Sequence, residues 1–125
     1  MDMSPRLRAG LRAFAALTGL ALLAYAAHTA FGLGSPDLDG FFDNWVYCGL
    51  VIAAGGACLM RAVVVREERA AWIAMSVGLL AWAAGDVTWT LLYAGEAGLS
   101  APYVTDLFYL SFYPASYASL LLLAG

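Results

Sequence analysis

Apolar residues fill four long segments of this chain, and short polar connections separate them. The segments cover residues 13–33, 44–65, 70–94 and 103–125. A helix of around 20 residues crosses a hydrocarbon core of about 30 Å, so each segment is long enough to span a membrane. Short connections place consecutive helices antiparallel. The pattern predicts an all-α fold, an integral membrane up-down bundle of four transmembrane helices that forms a single multi-pass domain over residues 1–125.

All basic residues fall on one side of this predicted bundle. They are arginines that precede the first segment or flank the junction of the second and third: Arg6, Arg8, Arg12, Arg61, Arg66 and Arg69. The other connections carry acidic residues: Asp37, Asp39, Asp43 and Glu96. Because basic residues accumulate in cytoplasmic loops, both chain ends are expected in the cytoplasm. Arginine without lysine, beside abundant alanine and glycine, is typical of a GC-rich bacterial gene, so we expect a bacterial inner or plasma membrane protein.

The first segment also has features of a cleavable signal peptide. Arginines precede its apolar run, and Ala24-Tyr25-Ala26 resembles a small-residue cleavage site. The apolar character continues to Leu33, which is longer than a typical signal core and favours an uncleaved helix. The second segment starts outside in both cases, so the predicted topology of the remaining chain is the same.

Composition excludes several classes of function. Hydrophobic residues make up 63% of the chain and charged residues 12%, unlike the mixture of a soluble domain. Without a basic run, no nucleic-acid partner is expected. The single histidine and two separated carboxylates do not form a recognisable metal site, and the sequence offers neither a nucleophile beside a base nor a phosphate-binding loop. We expect no catalysis by this chain itself, no metal and no cofactor.

Asp86 is the leading candidate for a functional residue, because it lies inside the third apolar segment. A charged aspartate near mid-helix costs about 2.5–3.5 kcal/mol, so it should face the bundle or a water-filled cavity. Steps of four and three residues place Trp82 and Trp89 on the same helical stripe, one turn on either side. Asp86 then either binds a ligand through its charge or makes a structural hydrogen bond with a tyrosine or tryptophan donor.

The fourth segment carries a matching set of residues. Asp106 lies about one turn inside its external end, and Tyr109 and Tyr113 follow at helical spacing. The third helix runs outward and the fourth inward, so Asp86 and Asp106 both fall in the outer half of the membrane, with His28 at a similar level. These residues predict an acidic, aromatic pocket that opens outward. The ligand or cavity candidates are Asp86, Trp82, Trp89, Asp106, Tyr109, Tyr113 and His28.

Several of these candidates also have structural interpretations. Asp106 is suited to cap the start of its helix. A single histidine such as His28 is more often a hydrogen-bonded packing residue than a ligand-binding one. Tryptophan and tyrosine are enriched at membrane interfaces in any case.

Two neighbouring motifs resemble a known membrane module. They are W-A-A-G-D-V-T-W at 82–89 and P-Y-V-T-D-L-F-Y-L-S-F-Y-P at 102–114. Residues 80–117 resemble the amino-terminal membrane regions of bacterial, especially actinobacterial, signalling proteins that carry GGDEF, EAL or kinase domains. The resemblance implies a cytoplasmic output domain in the same polypeptide: a diguanylate cyclase, a phosphodiesterase or a kinase. Such modules usually have further helices, so we expect this chain to be a fragment of a larger one.

Three functional hypotheses follow. The first is a sensory or anchoring input module, whose partners are the lipid bilayer, the output domain in cis and a second copy of the chain as a homodimer. The second is a small oligomeric transporter or channel subunit that uses Asp86 as a proton or cation site. The third is a structural membrane subunit without a ligand.

Overall fold

The computed structural model describes residues 3–93 and 104–125, and every element within them is helical. The long helices are α1 (Pro5–Phe31), α2 (Tyr47–Val64), α3 (Arg69–Thr88) and α4 (Val104–Ala124). Short 3₁₀ turns at Pro36–Leu38 and Arg66–Glu68, and π-helical turns at Phe41–Val46 and Trp89–Tyr93, adjoin α2 and α3. Together these elements give four spans that are long and apolar enough to cross a membrane. The predicted all-α fold with four candidate spans is confirmed.

α1 begins ahead of the predicted residue 13. The hydroxyl oxygen of Ser4 accepts a hydrogen bond from the amide of Leu7 at 3.3 Å, and Pro5 occupies the first helical position. A serine cap satisfies one of the free amides of the first turn, and the fixed φ of proline suits that position. The three amino-terminal arginines therefore lie on α1 itself.

α1 ends at Phe31, two residues before the predicted end at residue 33. Gly32 adopts a left-handed conformation with φ of +63°, and its amide donates to the carbonyl oxygen of His28 at 3.1 Å. Glycine ends helices in this way because it carries no Cβ that would clash. Ser35 then caps the 3₁₀ turn at Pro36–Leu38, so the second candidate span begins within the predicted connection.

α3 starts close to the predicted residue 70, but its regular part ends at Thr88 and a π-helical turn follows. A π-helical turn contains more residues than an α-helical one, so the side chains along it leave the α-helical stripe. The predicted end of the third helix at 94 and start of the fourth at 103 lie outside the described residues. The same is true of Glu96 in the connection between them.

The chain divides into two compact units, residues 1–50 and residues 51–125. The buried hydrophobic side chains in them are small: Cys48, Ala62, Ala71 and Ala83. Large apolar side chains face outward instead, and Leu17, Leu107 and Leu121 are 67%, 70% and 72% exposed. In a soluble protein such leucines would form the core, whereas helices in lipid pack through small residues. This is the distribution expected of helices surrounded by lipid.

α3 and α4 approach each other closely in the second unit. A Cβ added at Gly78 would lie 3.1 Å from the Cβ of Ala115. One added at Gly85 would lie 2.8 Å from Cε1 of Tyr109. Glycine at these two positions removes the side chain that would hold the helices apart. The close approach brings residues of the two helices into direct hydrogen-bonding range.

A buried hydrogen bond joins α2 to α3 in the same unit. The Ser76 side chain is fully buried, and its hydroxyl donates to the carbonyl oxygen of Gly55 at 2.8 Å. A buried hydroxyl without such an acceptor would be costly in an apolar setting. A Cβ added at Gly55 would lie 2.8 Å from Cδ2 of Leu80, so this contact also depends on a glycine.

Charged side chains close the α2–α3 junction, at the end predicted to face the cytoplasm. Nε of Arg69 donates to the carbonyl oxygen of Ala62 at 3.2 Å, and Nε1 of Trp72 donates to Oε2 of Glu68 at 2.8 Å. The Arg61 guanidinium lies 3.6 Å from the same carboxylate oxygen and 5.2 Å from the centre of the Trp72 ring. The two helices are thus joined by polar contacts as well as by the chain.

Candidate functional site

Asp86 and Tyr109 form a direct hydrogen bond between α3 and α4. The Tyr109 hydroxyl donates to Oδ1 of Asp86 at 2.9 Å. The preceding residue, Gly85, makes this geometry possible, because its missing side chain leaves room for the Tyr109 ring against the α3 backbone. The Gly-Asp pair therefore works as a unit, in which the glycine admits the ring and the aspartate binds its hydroxyl. Two roles were expected for Asp86: binding a ligand, or a structural hydrogen bond with a tyrosine or tryptophan donor. The structure contains the hydrogen bond to a tyrosine.

Aromatic rings surround Tyr109 on one side. The Trp82 ring centre lies 4.8 Å from that of Tyr109 at an interplanar angle of 54°. It lies 5.5 Å from that of Phe112 at 75°, an edge-on arrangement. Tilted and edge-on ring pairs of this kind are favourable beyond their buried area. Trp82, Tyr109 and Phe112 are called the aromatic cluster below.

One oxygen of Asp86 has no partner among the described residues. Oδ2 is buried and makes no hydrogen bond within the part of the chain that the structure describes. A buried acceptor without a donor costs about 1–3 kcal/mol, and more when it is charged. A proton, a cation or a ligand that carries a hydrogen-bond donor would satisfy this oxygen. The site is therefore chemically incomplete on its Oδ2 side.

Thr105 adds a second unsatisfied polar atom on α4. Its side chain is fully buried, and Oγ1 has no hydrogen-bond partner among residues 3–93 and 104–125. Thr105 precedes Tyr109 by one helical turn, so both side chains lie on the same face of α4. Further along α4, the buried hydroxyls of Ser116 and Ser119 are also without partners in the described chain. The buried hydroxyls of Thr105, Ser116 and Ser119 thus share the packed face of α4, whereas Ser111, Tyr113 and Tyr117 are exposed.

Two further predicted candidates, Trp89 and Tyr113, contact other aromatic rings. The Trp89 ring lies 5.6 Å from that of Tyr93, within the π-helical turn. The Tyr113 ring contacts Phe112 edge-on at 5.7 Å, but its side chain is 53% exposed. Asp106 lies in the first turn of α4 and is partly buried, as a helix-capping or site residue would be.

His28 belongs to the first unit and is bonded there. Its Nδ1 lies 2.8 Å from the carbonyl oxygen of Leu33, and its Nε2 lies 2.7 Å from Oδ1 of Asp39. Phe42 stacks on its ring with centres 4.3 Å apart. These contacts are those of a hydrogen-bonded packing residue, which is the structural interpretation of His28.

Sequence reasoning did not assign three residues to these sites: Thr105, Phe112 and Asp39. Phe112 follows Tyr109 by three residues, a helical spacing that signals a shared face. Gly85 immediately precedes the aspartate, and a glycine inside a helical pattern signals close backbone approach. Nothing in the sequence pairs Asp39 with His28, because that contact depends on the shape of the turn between them.

A shallow groove on another face of α3 is apolar. Its volume is about 420 Å³, and its walls are Ile52, Leu80, Ala83, Ala84, Val87 and Thr88. The Thr88 hydroxyl donates to the Ala84 carbonyl oxygen at 2.7 Å, so it offers no free donor to the groove. Residues two apart on a helix face different directions, which separates Thr88 from Asp86. The groove is therefore distinct from the Asp86 site.

The described residues contain no cluster of three or more side chains that could hold a metal ion. Comparison with known proteins gives no further assignment, because no family model, no curated protein and no solved structure matches this chain.

Proposed function

We propose that the chain is a membrane-embedded sensory or anchoring input module of a bacterial signalling protein. Its output domain, a cyclic-dinucleotide enzyme or a kinase, would follow on the cytoplasmic side. The observation that carries this proposal is the Asp86–Tyr109 bond across the α3–α4 interface, with Oδ2 of Asp86 unpartnered within the described part of the chain. A polar contact of this kind joins two helices and can still accept a ligand.

The mechanism requires two arrangements of α3 and α4. A ligand shifts such an equilibrium only if its affinity for the two arrangements differs. A proton that binds Oδ2 neutralises Asp86, and a donor group that binds there draws electron density from the carboxylate; each change weakens the bond that Oδ1 accepts from Tyr109. Because α4 leads toward the cytoplasm in the proposed topology, a small shift of α4 against α3 is transmitted to whatever follows it.

A second candidate function is a small oligomeric transporter or channel subunit. Asp86 would then bind a proton or a cation through Oδ2, and the buried Thr105 hydroxyl, one helical turn from Tyr109 on α4, supports this alternative as a second buried oxygen on the face of α4 that carries Tyr109. Intramembrane carboxylates commonly mark such pathways. The two candidates share the site and differ in whether an ion crosses the membrane.

Gene sequence beyond Gly125 provides the first test. An in-frame cyclase, phosphodiesterase or kinase domain supports the input module, and a stop codon there argues against it. In the intact protein, Asp86→Asn and Tyr109→Phe should each change output activity. Tyr113→Phe is the matched control, because it removes a tyrosine hydroxyl from the same helix outside the Asp86 bond. Equal activity in all three variants would contradict the proposal.

Proteoliposomes test the alternative. The purified chain is reconstituted with a pH-sensitive dye inside, and proton flux is measured under an imposed membrane potential. A flux that Asp86→Asn abolishes would favour the transporter or channel. A flux no greater than that of protein-free vesicles leaves the input module as the better account of Asp86.

A further inference from the structure

Both ring nitrogens of His28 face hydrogen-bond acceptors. Nδ1 lies 2.8 Å from the Leu33 carbonyl oxygen, and Nε2 lies 2.7 Å from Oδ1 of Asp39. A peptide carbonyl only accepts, and so does an ionised carboxylate, whereas neutral imidazole has a single N–H. The two bonds therefore need one more proton than a neutral ring beside an ionised Asp39 provides. That proton resides either on the ring, as imidazolium, or on the Asp39 carboxyl.

Several features of the ring's surroundings favour a positive charge and oppose the cost of burying it. His28 lies in the last turn of α1, where the aligned peptide dipoles attract cations. Phe42 stacks on the ring, with centres 4.3 Å apart and planes 15° apart. Asp39, beside the 3₁₀ turn, and Asp43, on the π-helical turn, are the charged groups that act on the ring, and both are acidic.

The proton at this site has access to water. The His28 side chain is only 7% exposed, but the Asp39 side chain bonded to it is 65% exposed. A proton can therefore enter and leave through the carboxylate without any movement of α1. With the amino terminus cytoplasmic, as the arginine distribution predicts, this end of α1 faces the exterior.

We propose that the His28–Asp39 pair is a proton-binding site that holds the connection after α1 closed. With the proton bound, the ring ties the backbone at Leu33 and the side chain of Asp39 to the end of α1. When the proton leaves, one of the two ring nitrogens presents a lone pair to an acceptor, and that bond is lost. Residues 33–39 then open. The ligand of this site is a proton, and its binding rests on residues 28–43 alone, not on the proposed signalling function; that the proton comes from outside follows from the predicted topology.

The chain is well suited to a direct test because it contains one histidine. The full chain, labelled with ¹⁵N-histidine, is placed in lipid nanodiscs, and both ring nitrogens are followed by NMR as pH is raised through the range in which histidine titrates. Amide hydrogen exchange of residues 33–39 is measured in parallel as protection factors, which remove the intrinsic pH dependence of exchange. Amides at 66–68, in the other short 3₁₀ turn, serve as the internal reference.

Protection of residues 33–39 should fall about fivefold at the pH where the ring loses its proton, as expected for the loss of one hydrogen bond. Protection at 66–68 should not change there. If the ring titrates while protection of residues 33–39 stays constant, the proposal is wrong. This wild-type result is decisive even if a variant fails to fold.

Asp39→Asn and Asp37→Asn form a matched pair, since each removes one carboxylate from the same connection. An asparagine at 39 can turn its amide to accept from an N–H or to donate to a bare nitrogen. Protection in Asp39→Asn should therefore no longer follow the ring titration. Asp37 is bonded to Ser35 and not to the ring, so Asp37→Asn should keep the wild-type coupling. The assignment would be overturned if protection of residues 33–39 still followed the ring titration in Asp39→Asn. It would also be overturned if Asp37→Asn abolished this dependence as completely as Asp39→Asn does.

Discussion

Tyr109→Phe isolates the bond between α3 and α4. The substitution removes one oxygen and keeps the ring, so the contacts with Gly85 and Trp82 remain. It also removes the donor that the structure gives to Asp86, whose Oδ2 already lacks a partner in residues 3–93 and 104–125. The carboxylate would then be left without either bond in a partly buried site. The free energy of unfolding should therefore fall by more than the loss of an exposed hydroxyl would explain.

The size of this fall follows from two measured ranges. Leaving a buried acceptor unsatisfied costs about 1–3 kcal/mol in soluble proteins. Hydrogen bonds between helices in membranes average about 0.6 kcal/mol and reach about 1.7, because the unfolded chain in the membrane also finds partners. The acceptor here is a carboxylate, and bonds to charged groups are stronger than neutral ones. We therefore expect a loss of about 1–2 kcal/mol, which is a change of about 5–30-fold in the unfolding equilibrium.

Reversible unfolding in mixed micelles, followed by tryptophan fluorescence, measures this loss. Tyr113→Phe is the control, since its side chain is 53% exposed, and it should change stability by less than about 0.5 kcal/mol. A double-mutant cycle with Asp86→Leu then isolates the pair, and its coupling energy should be at least about 0.5 kcal/mol. Equal stability of Tyr109→Phe and Tyr113→Phe, or a coupling energy near zero, would refute the bond as a stabilising contact.

Further predictions concern packing, charge, topology and catalysis. Gly85→Ala should destabilise the α3–α4 contact by about 1–3 kcal/mol through overpacking, while Gly49→Ala, where an added Cβ meets nothing within 4 Å, should be neutral or stabilising in the same unfolding assay. If Asp86 reads a ligand, Asp86→Asn should alter output or flux while its melting temperature stays near that of the wild type; unchanged activity would mean that the charge is not used. Reporter fusions at Arg66 and Glu96 should report inside and outside respectively, and any other pattern contradicts the arginine-based topology. The purified chain should not turn over nucleotide substrates, and activity that persists after contaminants are excluded would refute this.

Hydropathy was sufficient to predict the number and type of the long elements, but not their ends. Each candidate span is set by an apolar length of chain, which the sequence displays directly. The ends depend on single capping residues, such as Ser4 before α1 and Gly32 after it. Such caps act through one or two hydrogen bonds and are weak signals beside a long apolar run.

Part of the candidate site could also be predicted, because apolar segments and helical spacing are visible directly in the sequence. The Tyr109 donor to Asp86 comes from the fourth segment, and this hydrogen bond is one of the two roles expected of Asp86 from its position in an apolar helix; the Trp82 ring packs on Tyr109. Trp89 lies at the start of a π-helical turn, where its ring contacts that of Tyr93, so α-helical spacing alone does not fix the position of its ring. The His28–Asp39 contact was beyond the reach of periodicity, since it joins two elements through an irregular turn.

The π-helical turn at Trp89–Tyr93 has a consequence for how this chain tolerates insertions and deletions. A π-helical turn holds one residue more than an α-helical turn, and such turns often lie at functional positions. Deletion of a single residue between 89 and 93 would let α3 continue as a regular helix. Because a π-helical turn with its extra residue and the α-helical turn that would replace it rotate the chain by nearly the same angle, side chains beyond the deletion would keep about their present directions, and Asp86 and the residues before it would stay in place. The turn can therefore absorb a change of one residue in length and leave the Asp86–Tyr109 bond intact.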